Sequence, residues 1–369
     1  MRFPNYNGEW QKTVMGKVCS FRKGYGIAKD DLSSGGTPCI LYGELYTTYK
    51  TAIAKTIKSK TSIQSKSLVY SQKDDVIIPC SGETAEDIAT SICVPYDGVL
   101  LGGDLTIVHS DLDGAFLSNQ INSVRKFDIA RIAQGKSIVH LQADELKKIF
   151  IFYPSIQEQR KISAFIDKID ERIEIQNKII EDLKVLKKEL NYSLIGRIIN
   201  GKSSNCKIED VIDYEQPTNY IVKSDKYIEN GETPILTANK AFLLGYTIEN
   251  EGVYNKSDCI ILDDFTLDFK YVNFPFKIKS SAIKILTAKK DIELRYFYEY
   301  LLFLGLTSHE HKRHYISEVA PLPLYLPSID EQRNALSVLN SISKKIKVEE
   351  NYISALKAQK CFFLRAMFI

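Results

Sequence analysis

Two short segments have residue types and spacings that could support chemistry. The segment GRIINGKS, residues 196–203, places glycine, lysine and serine at the spacing of a phosphate-binding loop. Such a loop needs a β-strand before it and a helix opening at the lysine, so that backbone amides surround a phosphate. Here a long helical pattern precedes the segment and polar residues follow it. We therefore expect Gly201 to end a helix with Lys202 near its negative terminus, and a P-loop ATPase remains an alternative.

The segment HEHKRH, residues 309–314, gathers three of the five histidines. A zinc-protease motif would place its second histidine ligand where Arg313 stands. We expect a solvated basic loop in which Lys312 and Arg313 can contact phosphate. The segment DFK, residues 268–270, has a form found in nucleases, but a strand and turn element is the simpler interpretation. The sequence holds no convincing catalytic constellation, which predicts a chain without catalysis, metal or cofactor of its own.

One phrase occurs twice in the chain. PSIQEQRKI begins at Pro154 and PSIDEQRNA begins at Pro327. In each copy a serine is followed three residues later by a glutamate, which is the pattern of a capping box at a helix start. The proline before the serine stops any helix from entering. The predicted cap residues are Ser155, Glu158, Ser328 and Glu331.

A long helical pattern follows each copy of the phrase. Apolar residues recur at steps of three and four, and the pattern is interrupted at Gln176 in the first copy and at Glu349 in the second. This spacing, kept over about four to five heptads, predicts a coiled-coil seam. We expect the two helices to pair antiparallel, with Gln176 close to Glu349; the alternative is that each helix packs on its own domain. The seam residues are Ile166, Ile169, Ile173, Ile180, Leu183, Leu339, Ile342, Ile346, Ile353 and Leu356.

The segments between the helices have a different pattern. They contain short β-like runs, among them DVIIPC at 75–80 and DCIILDD at 258–264, punctuated by Gly, Asn, Asp and Pro. This predicts an α+β fold in which two β-rich domains alternate with two long antiparallel coiled-coil helices, as a pseudo-two-fold internal repeat. The expected boundaries are a first domain over 1–153, a first helix and linker over 154–201, a second domain over 202–326 and a second helix over 327–369.

The composition is that of an ordinary soluble protein. Its 369 residues, 44% hydrophobic and 26% charged, are enough for two domains with real cores. The net charge of +3 permits nucleic-acid binding without indicating it. Seven scattered cysteines without a C-x-x-C pair indicate free thiols in a reducing cytoplasm. No apolar run approaches the roughly 20 residues that span a bilayer, and the first residues lack the core of a secretory signal.

Four further segments carry a resemblance to a known family. They are RFPNYNGEWQKTVMGKV (2–18), AQGKSIVHLQADELKKIFIFYPSIQEQRKI (133–162), EQPTNYIVKSDKYIENGETPILTANK (215–240) and KYVNFPFKIKSSAIKIL (270–286). The chain resembles the specificity subunit of type I restriction–modification systems. In that family two target-recognition domains alternate with two similar long helices, each opening with a Pro-x-x-x-Glu-Gln phrase. The His-rich segment 308–327 departs from the pattern, because it has no counterpart of Gln134 and Gly135.

The resemblance implies a DNA-recognition subunit without catalysis. Such a subunit reads a bipartite, asymmetric site on double-stranded DNA and directs adenine methylation and restriction by its partners, which serve in phage defence. It implies two methyltransferase subunits and a translocating restriction subunit as partners; these would use S-adenosylmethionine, ATP and Mg²⁺. The candidates for DNA contact are basic and aromatic residues in irregular stretches of the two domains: Arg22, Lys23, Tyr25, Lys136, Tyr220, Lys223, Lys240, Lys312 and Arg313.

A second class of function remains open. The chain could be a coiled-coil scaffold whose β-rich domains bind proteins rather than DNA. Each candidate DNA contact also has a purely structural interpretation, because exposed lysine and arginine are the norm on protein surfaces. Binding to random duplex DNA discriminates between the scaffold and the DNA-recognition subunit.

Overall fold

The computed structural model describes residues 1–135, 139–224, 226–239, 241–308, 310 and 312–368. Its contacts divide the chain into two compact units. The first unit consists of residues 1–178 with 351–369, and the second consists of residues 179–350. Each unit therefore combines one β-rich segment with parts of both long helices.

The first unit contains short strands and short helices before its long helix. The strands are β1 Gln11–Val14, β2 Cys19–Lys23, β3 Leu32–Ile40, β4 Ser59–Thr61, β5 Asp75–Pro79, β6 Ser81–Gly82, β7 Ile92–Val94, β8 Leu100–Leu101, β9 Leu105–Ser110, β10 Val139–His140 and β11 Phe150–Tyr153. The helices are α1 Met15–Val18, α2 Glu44–Thr47, α3 Ala85–Ile88, α4 Gly114–Asn122, α5 Lys126–Ile132, α6 Ala143–Leu146 and α7 Ile156–Ile199, with a 3-10 turn at Lys29–Asp31.

Three sheets of the first unit have counterparts in the second unit. A four-stranded antiparallel sheet has the order β2-β9-β5-β7, a three-stranded sheet has the order β4-β3-β8, and β1 pairs with β11. Strands β5 and β7 and the first four residues of β9 are buried because both faces of this part of the sheet are covered, whereas the edge strand β2 is partly exposed. Val76 and Val108 belong to the core on one face, and Ile77 and Ile107 belong to the core on the other.

The second unit contains a similar set of elements. Its strands are β12 Cys206–Lys207, β13 Ile212–Glu215, β14 Thr233–Leu236, β15 Leu243–Thr247, β16 Cys259–Asp263, β17 Phe269–Val272, β18 Lys277–Ile278, β19 Ile283–Ala288 and β20 Pro323–Leu324. Its short helices are α8 Ile208–Val211 and α9 Leu294–Leu304, with a 3-10 turn at Pro217–Tyr220 and a π-helical turn at Tyr315–Val319. The second long helix, α10 Ile329–Met367, begins in this unit and ends in the first.

The sheets of the second unit repeat the topology of the first. Its four-stranded sheet has the order β13-β19-β16-β17, its three-stranded sheet has the order β15-β14-β18, and β12 pairs with β20. In both three-stranded sheets the central strand has one antiparallel and one parallel neighbour. The first unit adds one pairing, between β6 and β10. The predicted α+β class, with two β-rich domains and an internal repeat, is confirmed.

The two long helices pair in opposite directions within the first unit. The rings of Phe165 and Phe363 lie edge to face with their centroids 4.8 Å apart. Further along α7, Asp170 Oδ1 lies 2.6 Å from Nζ of Lys360, which comes earlier in α10. The helices are therefore antiparallel, as predicted, and this excludes the alternative in which each packs only on its own domain. Every predicted seam residue is buried or half-buried: Ile166, Ile169, Ile173, Ile180, Leu183, Leu339, Ile342, Ile346, Ile353 and Leu356.

The two helix starts differ in their caps. At α10 the Ser328 hydroxyl accepts the Glu331 amide at 3.3 Å, and the Glu331 carboxylate accepts the Ser328 amide at 2.9 Å, so this capping box is confirmed. At α7 the box predicted for Ser155 and Glu158 is wrong. The Glu158 carboxylate is buried and accepts two hydrogen bonds from Arg2, at 2.8 and 2.5 Å. The Arg2–Glu158 ion pair forms instead of the capping box, because a guanidinium binds a carboxylate more strongly than a backbone amide does.

The glutamine of the repeated phrase has the same role in both units. Gln159 Oε1 accepts the backbone N–H of Asp113 at 2.9 Å, and Asp113 is the N-cap residue of α4. Gln332 Oε1 accepts the backbone N–H of Glu293 at 2.8 Å, and Glu293 is the N-cap residue of α9. Each glutamine also donates to the carbonyl of the proline that opens its phrase. A buried amide thus ties the start of each long helix to the start of a domain helix.

Candidate nucleic-acid interface

Arg22, a predicted DNA contact in the first unit, is held in place by two hydrogen bonds. It lies on β2, and its Nη2 is 2.6 Å from Oδ2 of Asp75 while its Nη1 donates to the Tyr70 carbonyl at 3.3 Å. Lys23 follows at the end of the strand with an exposed side chain, and Tyr25 is 38% exposed. Arg22 and Lys23 are consecutive residues of the edge strand β2, so their side chains point to opposite faces of the sheet.

Asp75 holds the side chains of Arg22 and His109 at this surface. Its carboxylate is fully buried, and besides Arg22 it binds Nδ1 of His109 at 2.8 Å. The Gln72 backbone N–H also donates to it, at 2.8 Å. Because a carboxylate accepts hydrogen bonds, Nδ1 of His109 carries a proton and Nε2 is the nitrogen left for another partner. Asp75 thus fixes the orientation of the imidazole as well as that of the guanidinium.

A second group of polar residues lies on the second unit's four-stranded sheet. Glu215 Oε1 accepts hydrogen bonds from Tyr220 at 2.7 Å and from Lys256 at 2.8 Å. Burial opposes ionisation of Glu215, but the hydrogen bonds from Lys256 and Tyr220 hold the pKa of its carboxyl below the usual value. The same contact with Glu215 raises the pKa of Lys256. Both groups are therefore charged at neutral pH.

The prediction that the Tyr220 ring contacts DNA is corrected by its position. Tyr220 is only 7% exposed and packs edge to face on Tyr254 with centroids 5.2 Å apart. Its ring therefore cannot stack on a base, although its hydroxyl orients Glu215. Lys223 is exposed on the same unit, 3.7 Å from the Glu251 carboxylate, and this solvated pair leaves it free to exchange partners.

Lys312 and Arg313 lie together in a loop that is tied to the core. The Lys312 ammonium lies 2.6 Å from Glu310 and 2.9 Å from Glu318. The buried Asp264 carboxylate accepts the backbone N–H of Tyr315 at 2.7 Å and lies 3.8 Å from the Arg313 guanidinium. Both predicted contacts are half exposed, so they stay candidates for phosphate binding. Lys136, Lys240 and the histidines at 309 and 311 lie outside the described residues.

The P-loop-like segment has the wrong structural context. Helix α7 continues through Ile199, and Gly201 adopts a φ of +70° just beyond it, as predicted for a helix-ending glycine. A helix rather than a strand thus precedes Lys202, and no helix opens at that lysine. The segment does not fit a nucleotide phosphate, and the ATPase interpretation is wrong.

Other reactive groups in the described part of the chain are sparse. No cluster of three or more His, Cys, Asp or Glu side chains among those residues could hold a metal ion. The seven cysteines are free thiols, as predicted. Burial raises the pKa of the Cys19 and Cys39 thiols to about 11, so both stay protonated at neutral pH. None of the helices in these ranges is long and apolar enough to cross a bilayer.

Sequence reasoning missed three functional candidates, namely His109, Glu215 and Lys256. His109 and Asp75 lie on neighbouring strands that are far apart in sequence, and Lys256 reaches Glu215 across a similar distance. For the contact between His109 and Asp75, the only signal in the sequence was a histidine near the end of an apolar strand. No sequence pattern near Lys256 or Glu215 indicated that these two residues form a pair.

Comparisons with known proteins agree with this architecture. Residues 7–185 match the model of a family described as the type I restriction modification DNA specificity domain. A stretch of 139 residues is 40% identical to the specificity subunit of the type I restriction enzyme EcoR124I/EcoR124II from Escherichia coli. That match covers 36% of this chain and 34% of the relative, so the chain spans about a third of the length of the curated relative it matches.

Solved structures resemble the whole chain. The S subunit of a type I restriction–modification system from M. genitalium has a TM-score of 0.62 at 16% identity, and the match covers 100% of this chain and 97% of that chain. A second solved structure, from work on complex assembly and conformational transition of the type I R-M system, has a TM-score of 0.59 at 16% identity. The match covers 98% of each chain. These likenesses extend the shared fold over both units.

Proposed function

We propose that the whole chain is the DNA specificity subunit of a type I restriction–modification system. The match of residues 7–185 to the model of the type I restriction modification DNA specificity domain supports this proposal. The chain reads a bipartite, asymmetric sequence on duplex DNA. Each of its two β-rich domains reads one half of that sequence.

The observation that carries this proposal is the repeated sheet topology. The order β2-β9-β5-β7 recurs as β13-β19-β16-β17, whereas the side chains placed on the two sheets differ. Two readers with one scaffold and different surfaces suit a site whose two halves differ in sequence. The helices α7 and α10 act as the spacer between the half-sites, because a long helical rod can match a separation of about one DNA turn, roughly 34 Å.

Partner subunits carry out the chemistry in this proposal. Two methyltransferase subunits bind the long helices and methylate adenine with S-adenosylmethionine, and a restriction subunit translocates DNA with ATP and Mg²⁺. The likeness to a structure that concerns complex assembly in the type I R-M system supports this assignment. This chain supplies the choice of sequence and performs no reaction itself. It acts where the DNA is, in the cytoplasm.

Titration of random duplex DNA tests the proposal against a protein-binding scaffold. The chain, purified with its methyltransferase partner, is expected to bind duplex DNA with an affinity that falls as salt rises, because bound lysines and arginines release counterions. It should also enrich a two-part sequence from a randomised library. Absence of duplex binding at low salt would favour the scaffold, and methylation or cleavage by the chain alone would contradict the non-catalytic role.

A further inference from the structure

Arg22 and Glu215 occupy the same position in the two units. Each lies at the fourth residue of the strand that follows a four-residue helix, α1 before β2 and α8 before β13. Arg22 pairs with Ile107, which pairs in turn with Ile77 on the next strand. Glu215 pairs with Ile285, which pairs in turn with Ile261. The register of both sheets therefore makes the two residues equivalent.

The two equivalent residues carry opposite charges at nearly equal exposure. The Arg22 side chain is 35% exposed and the Glu215 side chain is 36% exposed. Each is held by a counter-charge, Asp75 for the arginine and Lys256 for the glutamate. The shared scaffold thus presents a donor group in the first unit and an acceptor group in the second.

We propose that Arg22 and Glu215 are specificity-determining residues, Arg22 for one half of the DNA site and Glu215 for the other, an inference that rests on the proposed function. Arginine donors match the O6 and N7 acceptors of guanine in the major groove, and a carboxylate accepts from the N4 amino group of cytosine. Opposite chemistry at one position gives the two halves of the site different base preferences.

Both side chains retain capacity for a base. A guanidinium has about five N–H donors, and Arg22 uses one on Asp75 and one on the Tyr70 carbonyl. A carboxylate has about four acceptor positions, and Glu215 uses three, two of them on Lys256. The remaining groups are held in fixed orientation, which lowers the entropic cost of binding.

The neighbours of each residue fit a positioning role. Asp75 is fully buried and orients Arg22 together with His109, whose side chain is 38% exposed. Tyr220 is buried and orients Glu215 through its hydroxyl. Asp75 and Tyr220 are therefore positioning residues that do not touch DNA, and His109 adds a second reading group beside Arg22.

Two conservative substitutions test the inference. Arg22→Lys keeps a cation opposite Asp75 but removes the planar fork that recognises guanine in a bidentate manner. Glu215→Gln keeps the shape of the side chain but replaces one acceptor oxygen with a donor. Arg333→Lys is the matched control, because Arg333 lies in α10 rather than on a strand, is 63% exposed and pairs with Glu293 at 2.9 Å.

The measurement is selection of a randomised duplex library by each full-length variant in complex with its methyltransferase partner. Arg22→Lys should reduce the preference at one position of one half-site about tenfold, the size of a single good base contact, and leave the other half unchanged. Glu215→Gln should do the same in the other half only. Arg333→Lys should select the sequence of the unmodified complex.

The outcomes separate this inference from the proposed function. If the unmodified complex selects no sequence, the proposed function fails. If it selects a two-part sequence that both variants reproduce, or if the variants weaken all sequences equally, Arg22 and Glu215 are only structural and this inference is overturned. Should Arg22→Lys fail to fold, Arg22→Gln carries the same test, because the glutamine amide can still donate to Asp75 but lacks the charged fork; an unchanged first half-site would then overturn the inference.

Discussion

The side-chain oxygen of Gln332 accepts the backbone N–H of Glu293 at 2.8 Å, and Gln159 forms the same bond with Asp113 at 2.9 Å. Both glutamines are buried and both donors are N-cap residues of domain helices. The repeated phrase thus does more than begin two helices. Through a buried amide it ties the start of each long helix to the start of a domain helix in the same unit.

Gln332→Met should destabilise the protein by about 1–3 kcal/mol, because the fully buried Gln332 side chain is the acceptor of the Glu293 N–H. Urea unfolding followed by fluorescence measures the change. Gln157→Met is the matched control, since Gln157 belongs to the first phrase but is exposed. A loss of the same size in both variants would mean that the buried hydrogen bond contributes nothing specific.

Ser328→Ala should destabilise the protein by about 1 kcal/mol, the usual cost of losing an N-cap hydroxyl. Ser155→Ala should have little effect, because the Ser155 hydroxyl makes no hydrogen bond within the described residues, whereas Ser328 caps Glu331 at 3.3 Å. Thermal unfolding of the two variants side by side decides the point. Equal shifts in Tm would contradict the difference between the two helix starts.

Leu339→Ala should cost about 2–5 kcal/mol, because Leu339 is a buried seam residue of α10 and its removal leaves a cavity. Val348→Ala, on the exposed side of the same helix, should change stability by no more than about 0.5 kcal/mol. Chemical unfolding of both variants provides the comparison. If Leu339→Ala lowered the free energy of unfolding no more than Val348→Ala does, the seam would not be a packed interface.

The stability of the second unit should depend on the protonation of His314. A hydrogen bond to Glu318 at 2.7 Å, and to a lesser extent one to the Glu310 carbonyl, raises the pKa of His314 above its usual 6.5. Burial and the nearby Lys312 oppose this rise in the pKa. Because the folded state favours the proton, this contribution is fully present below pH 6.5 and is lost as the pH rises through the raised pKa.

The Tm difference between the unmodified protein and His314→Gln should therefore be largest in mild acid and shrink as the pH rises above 6.5. Melting curves of both proteins across this pH range measure the Tm difference. Other titrating groups affect both proteins alike, so their contribution cancels in that difference. A Tm difference that grew with rising pH would show that the neutral imidazole is the form that stabilises the loop.

The spacing of apolar residues predicted the long helices well, because residues that recur at steps of three and four, such as Ile166 and Ile169, lie on the buried face of a helix. The predicted starts at 154 and 327 also agree closely with Ile156–Ile199 and Ile329–Met367. Local patterns failed where a distant partner decided the outcome. Glu158 binds Arg2 instead of capping its own helix, and nothing near Glu158 in sequence indicates that pair.

The surface of each domain was harder to predict than its scaffold. Tyr220 was expected at the DNA, yet its ring is buried and only its hydroxyl serves Glu215. Asp75 and His109 meet only after β5 and β9 pair, so their contact depends on sheet register rather than on local sequence. The DNA contacts of Lys23, Lys223, Lys312 and Arg313, the expected contact of Gln176 with Glu349, and the domain boundaries stay predictions.

A domain exchange followed by mapping of methylated adenines tests most directly whether each domain reads its own half-site. Residues 1–153 are replaced by the corresponding domain of another specificity subunit, and the hybrid is produced with its partners in cells. We predict that one half of the methylated sequence changes to that of the donor while the other half and the gap are kept. Alteration of both halves together, or retention of the original sequence, would contradict the claim that the two domains read separate half-sites.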